Sequence, residues 1–427
     1  MKPFLTLQTV ESVLEHIHSF PGLAEECVPL DDALGRCLAR NFSATEDLPG
    51  FDRSTVDGFA VRARDIFGAQ EGNPALVECV ADCRMGEVPG ITLEEGQAAR
   101  ILTGGMLPAG ADCVVMVEYS RPAGGNLIEI TRSQAPGDNV IFRDDDAVAG
   151  SLLLEAGHRL RPQDIGLLAA FGLTEVAVRC KPLTAVLSTG DEVVPSSQKP
   201  PPGKIRDINA HSIAALCREA GAQAVRAGIV NDDALKLKEA IFQLAAKHDV
   251  VVVSGGSSAG MRDHTVEIFE SLPHAQLLVH GVAISPGKPF ILAKALVDGR
   301  TVCLVGLPGH VASALICARV FLAPLLEHLQ GYAGQAKPPL VPATLTRSVA
   351  SAQGRRDYLR VRLRALPSQP STRPQTGTAL RPLYEAEPIM GASGLISGIA
   401  AADGLMLCPE NREGYDAGDT VMVELFR

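Results

Sequence analysis

Tryptophan is absent from the 427 residues, and aromatic residues make up only 4% of them. That removes the aromatic platforms on which single-stranded nucleic acids stack. Positive charge is not in excess either: 39 Lys and Arg face 49 Asp and Glu, a formal net charge of -10. An acidic chain is a poor binder of phosphate backbones, so no nucleic-acid partner is expected. A small anionic ligand stays open, because a local basic pocket can oppose the global charge. No apolar run reaches the length of a membrane span. The best candidate, residues 311–326, is interrupted by Arg319 and Pro324, and no membrane partner is expected. Residues 1–20 carry Glu11 and Glu15 at spacings that suit an amphipathic helix, in place of a basic segment followed by an apolar run. No targeting signal is read there, and a cytoplasmic location is expected. The 10 cysteines are scattered. Cys79 and Cys83 are the closest pair, with no second pair to complete a zinc set. They read as buried free thiols. No repeat of solenoid type is found.

Hydrophobic residues are 46% and charged residues 21%, as in a soluble globular protein. The length exceeds one ordinary core and predicts two to four domains. Residues 183–329 alternate strands and helices. Strands are predicted over 183–188, 224–230, 250–253 and 301–305. A helix over 209–220 places Ile213, Leu216, Cys217 and Ala220 on one face; another carries Leu237, Ile241 and Leu244; a third starts near His310. The β-branched run 250–253 suits a strand buried on both faces. Such alternation predicts a parallel sheet covered by helices. Residues 46–150 are rich in Gly and Pro turns between short strands and predict a mixed, mostly β lobe. Residues 159–171 resemble a helix with Ile165, Leu168 and Ala169 inward. From about Leu340 the pattern is of short strands, such as 358–363 and 420–425, and a small all-β domain is expected. Residues 367–377 are low in complexity and read as a mobile loop. Residues 196–203 form a second Pro-rich loop.

Polar turns follow apolar strands at Ser188-Thr189-Gly190-Asp191-Glu192, at Ser254-Gly255-Gly256-Ser257-Ser258-Ala259-Gly260, and at Gly306-Leu307-Pro308-Gly309-His310. Strand C-termini of a parallel sheet converge on one edge, where ligands bind. Glycines there let backbone N–H groups approach a phosphate, and helix N-termini add partial positive charge. Asp191, Glu192, Asp232 and Asp263 lie in or near these turns. Mg2+ takes one or two carboxylates together with waters and substrate phosphates; helix capping is the competing explanation, and it fits one of Asp232 and Asp233. Pro286-Gly287-Lys288-Pro289 aims one lysine from a stiff turn, suiting an oxyanion, although a solvated turn lysine has the same pattern. Phe51-Asp52-Arg53-Ser54-Thr55-Val56-Asp57-Gly58-Phe59-Ala60 and Leu102-Thr103-Gly104-Gly105 are loops by composition, where Asp57 has turn capping as its plain role.

The stretch from Phe51 to Ala60 resembles the signature of the MoeA family, which includes the E domain of gephyrin. The resemblance runs on in order through Thr103-Gly104, Ser188 to Glu192, Ser254 to Asp263, Pro286 to Pro289, Gly306 to Gly309, Ser313, Gly354-Arg355 and Ser393-Gly394. It implies a multidomain α/β plus β chain: a connecting domain from 1–46 and 147–180, an inserted mixed lobe from 47–146, a central doubly wound α/β domain from 181–330, and a small C-terminal β-barrel-like domain from 331–427. It implies a transferase that inserts molybdenum into adenylylated molybdopterin and releases AMP with Mg2+. Molybdate, or tungstate, is then a substrate. The competing activities are a molybdopterin adenylyltransferase and a non-catalytic molybdopterin-binding scaffold.

By the resemblance, the catalytic residues are Asp57, Thr103, Asp146, Glu192, Asp232, Asp263 and Lys288, with Glu192, Asp232 and Asp263 on the metal. Ser188, Thr189, Gly190, Ser254, Gly255, Gly256, Gly306, Pro308 and Gly309 would bind substrate, and Ser313, Arg355 and Ser393 would lie with Lys288 at the molybdate end. The family pattern also implies a homodimer, with Asp57 and Thr103 supplied to the partner's site, and dealings with the adenylyltransferase and recipient molybdoenzymes. The chain departs from that pattern at Ser285, where many members have a second lysine. It departs again at His310-Val311 in place of Asn-Pro, and at Arg143-Asp144-Asp145-Asp146 in place of Arg-Gly-Glu-Asp. Loss of one lysine lowers the positive charge expected at the oxyanion pocket.

Overall fold

The computed structural model describes residues 6–255, 259–334, 338–366 and 382–426, without the side chains of 259–263. The low-complexity stretch 367–377 and Gly256 lie outside the described residues. Contacts divide the chain into two compact units, one made of Asn41–Glu155 with Gly166–Thr174 and one holding the remainder.

The smaller unit is built on a six-stranded sheet of β1 (Gly58–Val61), β2 (Ala75–Asp82), β3 (Gln97–Ile101), β4 (Cys113–Met116), β5 (Ser120–Gly124) and β6 (Leu127–Ile130). The strand order is β4-β1-β3-β2-β6-β5, antiparallel except between β2 and β3. Alternation along β1 and β4 sends Phe59, Val61 and Val115 into one apolar layer and Ala60 and Val114 into another, so the sheet is covered on both faces. This is the mixed lobe expected from the Gly and Pro turns.

In the larger unit, β7 (Leu183–Thr189), β8 (Gln223–Val230), β9 (Val250–Gly255), β10 (Gln276–His280), β11 (Ile291–Val297) and β12 (Arg300–Leu307) form a sheet in the order β8-β7-β9-β12-β11-β10. The first four in that order run parallel. The four strands that the alternation predicted are thus parallel, and the sheet is extended by β11 and β10, which the alternation did not include and which are antiparallel. A tight turn joins β11 to β12, and no helix intervenes there to carry the chain back. Helix α1 (Val10–Ile17), α2 (Asn209–Glu219), α5 (Val311–Cys317) and α6 (Ala323–Leu329) pack with Val186, Val250, Val252 and Val305. Helices α3 (Ala234–Ala245) and α4 (Ala259–Glu270) pack with Leu187, Val251, Val253 and Leu304 on the opposite face. The domain is doubly wound, and the buried β-branched run at β9 is its centre.

A π-helical turn, Ala318–Leu322, joins α5 to α6. The expectation that Arg319 and Pro324 interrupt this run is therefore corrected: Val311–Leu329 is one helical rod of 19 residues, apolar enough to span a membrane by length and composition. Pro324 sits in the first turn of α6, where its missing N–H is tolerated. The rod is a core element, with Ile316, Phe321, Leu322 and Leu326 each at most 1% exposed.

The C-terminal strands β13 (Leu340–Leu345), β14 (Arg356–Ala365), β15 (Tyr384–Pro388), β16 (Gly404–Cys408) and β17 (Thr420–Leu425) run in the order β14-β15-β13-β17-β16, and β16 pairs back to β14. The result is a closed five-stranded barrel around Leu345, Val361, Met406 and Val423. Closure removes sheet edges. A short strand from the α/β domain, Ile284–Ser285, adds to β14, with Ser285 opposite Asp357.

The helix expected over 159–171 spans Pro162–Ala170. Leu168 is buried, Ile165 is half-buried and Ala169 is exposed, so the inward face runs through Asp164, Leu168 and Phe171. Asp164 accepts hydrogen bonds from Arg161 N (2.8 Å), Arg161 Nε (2.9 Å) and His158 Nε2 (2.8 Å). Burial pushes its carboxyl pKa up, but the bonds from Arg161 and His158 outweigh that and hold it well below the ordinary value. A depressed carboxylate contributes stability above its unfolded pKa, near 3.9, and loses it as pH falls through the folded value. We predict that Asp164→Asn lowers the urea midpoint at pH 7 and that the gap to the natural chain narrows steadily below about pH 4. A gap that does not change with pH would show that the charge contributes nothing.

Candidate functional site

The three strand ends of the central sheet finish level. Ser188 on β7 lies opposite Ser254 on β9, and Ser254 lies opposite Leu307 on β12. Their polar turns therefore open on one edge, as the sequence predicted. Gly255 holds the turns close. Its φ is +141°, and a Cβ there would fall 2.0 Å from the Thr189 carbonyl oxygen, so a larger residue would force the two strand ends apart. Gly190 is held to glycine by its φ of +144°, and a Cβ there would displace the Glu192 carboxylate, whose Oε2 would be 2.6 Å away.

A residue that sequence reasoning passed over ties these turns together. Asn209 Nδ2 donates to Ser254 Oγ at 2.9 Å and to the Gly309 carbonyl at 2.8 Å. An Asn opening a helix reads as a cap, but the capping bond of α2 comes from Asp207, which accepts Ala210 N–H at 3.1 Å. An Asn at the helix start with Asp207 available for the cap was the one signal that could have found it. Among the described residues, Asn209 Oδ1 and Ser188 Oγ are buried and have no hydrogen-bond partner. Buried polar atoms are nearly always partnered, so two such atoms at a ligand-binding edge suit a ligand that completes them.

The acidic residues divide as the sequence left open. Asp233 caps α3, accepting from Leu235 N–H and Lys236 N–H. Asp232 is left to accept from Thr189 Oγ1 at 3.2 Å. Asp191 Oδ1 holds Asn231 Nδ2 and Asp232 N–H at 3.0 and 3.2 Å. Glu192 and Asp232 are both exposed. Among the described residues no group of three His, Cys, Asp or Glu side chains is placed to hold a metal. The side chain of Asp263, on α4, lies outside the described residues.

Beside this edge is a cavity of about 210 Å3 bounded by Gly255, Gly306, Pro308, Gly309, His310 and Ser313. Pro289 reaches its wall, while Lys288 itself is exposed in the neighbouring turn. Cys317 donates to the Gly287 carbonyl at 3.3 Å and fastens that turn to α5. Arg355 stands by the same region through Ser285, which pairs with Asp357. Its guanidinium is already engaged by the Asp357 carboxylate, Nε to Oδ1 3.0 Å, and Ser351 Oγ anchors that carboxylate at 2.8 Å. Ser393 meets His310, Oγ to Nδ1 2.8 Å, and its carbonyl accepts Ala312 N–H at 2.9 Å.

In the smaller unit, Asp57 Oδ1 accepts both Thr103 N–H at 2.7 Å and Thr103 Oγ1 at 2.8 Å. The backbone bond from Thr103, then its hydroxyl, holds the Asp57 carboxyl below the ordinary value. Asp57 is thus an ionised acceptor at neutral pH, and a weak base. Asp146 is exposed; its N–H donates to the Leu48 carbonyl at 2.9 Å, and no described bond joins it to Asp57 or Thr103.

Three family models match the chain: the MoeA N-terminal region (domain I and II) over residues 6–172, a probable molybdopterin binding domain over 185–328, and the MoeA C-terminal region (domain IV) over 342–426. Among curated relatives, the molybdopterin molybdenumtransferase of Nostoc sp. is 38% identical over 74% of this chain and 72% of its own. That of Bacillus subtilis is 33% identical over 98% and 94%. A solved molybdopterin biosynthesis MoeA protein from Pyrococcus horikosii superposes with a TM-score of 0.79 at 35% identity, covering 99% of this chain and 100% of that one. The chain belongs to the MoeA family. It is accordingly an enzyme of the transferase class, with a role in molybdenum cofactor biosynthesis.

Within this MoeA chain the structure brings Ser188, Thr189, Gly190, Ser254, Gly255, Gly306, Pro308, Gly309 and Ser313 to one sheet edge and its adjoining cavity. Lys288, Arg355 and Ser393 flank it on separate loops. The Asn209 tie can be tested by stability. Losing two hydrogen bonds to buried acceptors costs about 1–3 kcal/mol. Asn209→Asp keeps the shape but sets a carboxylate against the Gly309 carbonyl, which can only accept, while the Ser254 hydroxyl can turn to donate, so it is predicted to lower the denaturant midpoint. An Asn209→Asp midpoint equal to that of the natural chain would refute the donor assignment.

Proposed function

We propose that this chain inserts molybdenum into adenylylated molybdopterin and releases AMP in a Mg2+-dependent reaction. The observation that carries the reading is the level polar edge of β7, β9 and β12, where Ser188 Oγ and Asn209 Oδ1 have no partner among the described residues. Glycine-lined turns of this kind suit phosphate oxygens, and the neighbouring cavity, with Ser313 and His310 on its wall, suits a tetrahedral oxyanion.

Glu192 and Asp232 flank the first turn and, with Asp263, would hold Mg2+; carboxylates, water and substrate phosphates are its ordinary partners. Bound there, Mg2+ screens the repulsion among phosphate and oxyanion charges. Thr189 holds Asp232 in place. Lys288 supplies positive charge at the oxyanion end, where the Asp357 carboxylate partly neutralises Arg355. Orientation of the reacting groups by the turns supplies much of the rest.

The same reading treats the chain as four parts, with divisions near residues 46, 146, 180 and 330, and as a cytoplasmic homodimer in which Asp57 and Thr103 serve the partner's site. Its substrate would come from the adenylyltransferase and its product would pass to recipient molybdoenzymes. Either molybdate or tungstate fits the charge and shape of the proposed pocket.

The deciding assay is AMP release from adenylylated molybdopterin with Mg2+ present and molybdate or tungstate varied. AMP release is expected to saturate with the oxyanion. Lys288→Ala is predicted to raise the half-saturating molybdate concentration tenfold or more, since a hydrogen bond to a charged group is worth about 1.5–3 kcal/mol, with AMP binding nearly unchanged. Oxyanion-independent release would contradict the reading; an unchanged half-saturation in Lys288→Ala would remove Lys288 from it. For the shared site, Asp57→Ala and Asp263→Ala are each expected to fold and to release AMP slowly, and mixed subunits to recover part of the activity. No recovery after verified subunit exchange would mean that each site is complete within one chain.

A further inference from the structure

The cavity beside the strand ends has one titratable group on its described wall, His310; the rest is glycine, proline, hydroxyl and aliphatic surface. His310 occupies the N-cap position of α5, yet its side chain makes no capping bond. The ring is held by Ser393 Oγ, 2.8 Å from Nδ1. Ser393 is fixed in turn, because its carbonyl accepts Ala312 N–H at 2.9 Å. A hydroxyl can accept from the Nδ1–H of an imidazolium or donate to the bare Nδ1 of a neutral ring. The contact therefore survives titration: a ring whose bare Nδ1 accepts from Ser393 already carries N–H at Nε2, and protonation at Nδ1 reverses the Ser393 bond and gives the Nε2–H donor a positive charge. Nε2 has no described hydrogen-bond partner in the protein.

We propose that His310 is an oxyanion-binding residue of this chain and that its protonation tightens the cavity's hold on a tetrahedral dianion. This inference rests on the molybdate reading given above.

The surrounding charges set the direction of the linkage. Arg360 donates from Nη2 to the Gly391 carbonyl at 2.7 Å, beneath the loop that carries Ser393. Lys288 precedes Pro289 on the cavity wall. Helix α4 brings Thr265 to the wall, and the nearest described charged pair on that helix, His264 and Glu267, is closed on itself at 3.3 Å. Arg355 is paired with Asp357. A dianion in the cavity favours the charged imidazolium, so binding draws in a proton.

The test uses the full chain, with molybdate as the titrant in calorimetry between about pH 6 and pH 8, in buffers of different ionisation enthalpy. The natural chain is expected to take up a fraction of a proton on binding and to lose affinity by about three- to tenfold across that range, where an ordinary histidine changes charge. H310N is expected to bind weakly with little pH slope and no proton uptake. The molybdate dependence of AMP release should follow the same pattern. Absence of proton uptake by the natural chain, or an undiminished pH slope in H310N, would overturn the proposal whether or not the variant is fully stable, because the first measurement needs no variant. A slope that belongs to AMP binding instead of molybdate binding would also overturn it, placing the nucleotide phosphate in this cavity. AMP release that needs no oxyanion at any pH would sink the molybdate reading itself. Molybdate-dependent release with an equal slope in H310N would sink only the role of His310.

Discussion

Three parallel strands must end at the same height for this protein to present one polar edge, and the close approach of Gly255 to the Thr189 carbonyl is what allows it. Everything polar nearby follows from that spacing. The Asn209 amide can reach Ser254 and Gly309 together only because β9 and β12 finish level. Thr189 can reach Asp232 only because β7 and β8 also run in register there, with Thr189 opposite Val230. The apolar layers above and below, centred on Val250 to Val253, fix the strands rigidly enough for such short bonds to persist.

Charge is arranged locally against the net balance. The chain carries -10 overall, yet no Asp or Glu is among the residues described on the cavity wall. Nearby carboxylates are occupied: Asp233 by helix capping, and Asp357 by Arg355 and Ser351. Glu192 and Asp232 are left exposed on one side of the edge. That separation of carboxylates from the cavity is the pattern expected where a divalent cation and an oxyanion are to be held side by side.

Much of this could be read from the sequence because it is local. The continuous apolar runs and helical patterns of residues 183–329 marked the strands and helices of the α/β domain, and glycine-rich turns after apolar strands marked the edge. The failures are non-local. The antiparallel strands β10 and β11 carry no helix between β11 and β12 to announce them. The continuity of Val311–Leu329 depends on a π turn that lets Pro324 sit in a new first turn. Asn209 looks like a helix cap until Asp207 is seen to do that work. The meeting of His310 with Ser393 joins residues 83 apart in the chain, and no local pattern in the sequence encodes it. The family resemblance supplied Ser393 and left His310 as an unexplained departure; the bond between them supplies a physical account of both.

The most direct test of the account is a single-turnover mass balance. Adenylylated molybdopterin is supplied below the enzyme concentration with excess molybdate and Mg2+, and AMP released and molybdenum bound to the pterin are measured in the same sample. The account predicts that the two rise together, one for one, and that neither rises without molybdate. AMP appearing without molybdenum in the pterin, or molybdenum bound to the pterin with the adenylyl group still attached, would contradict it.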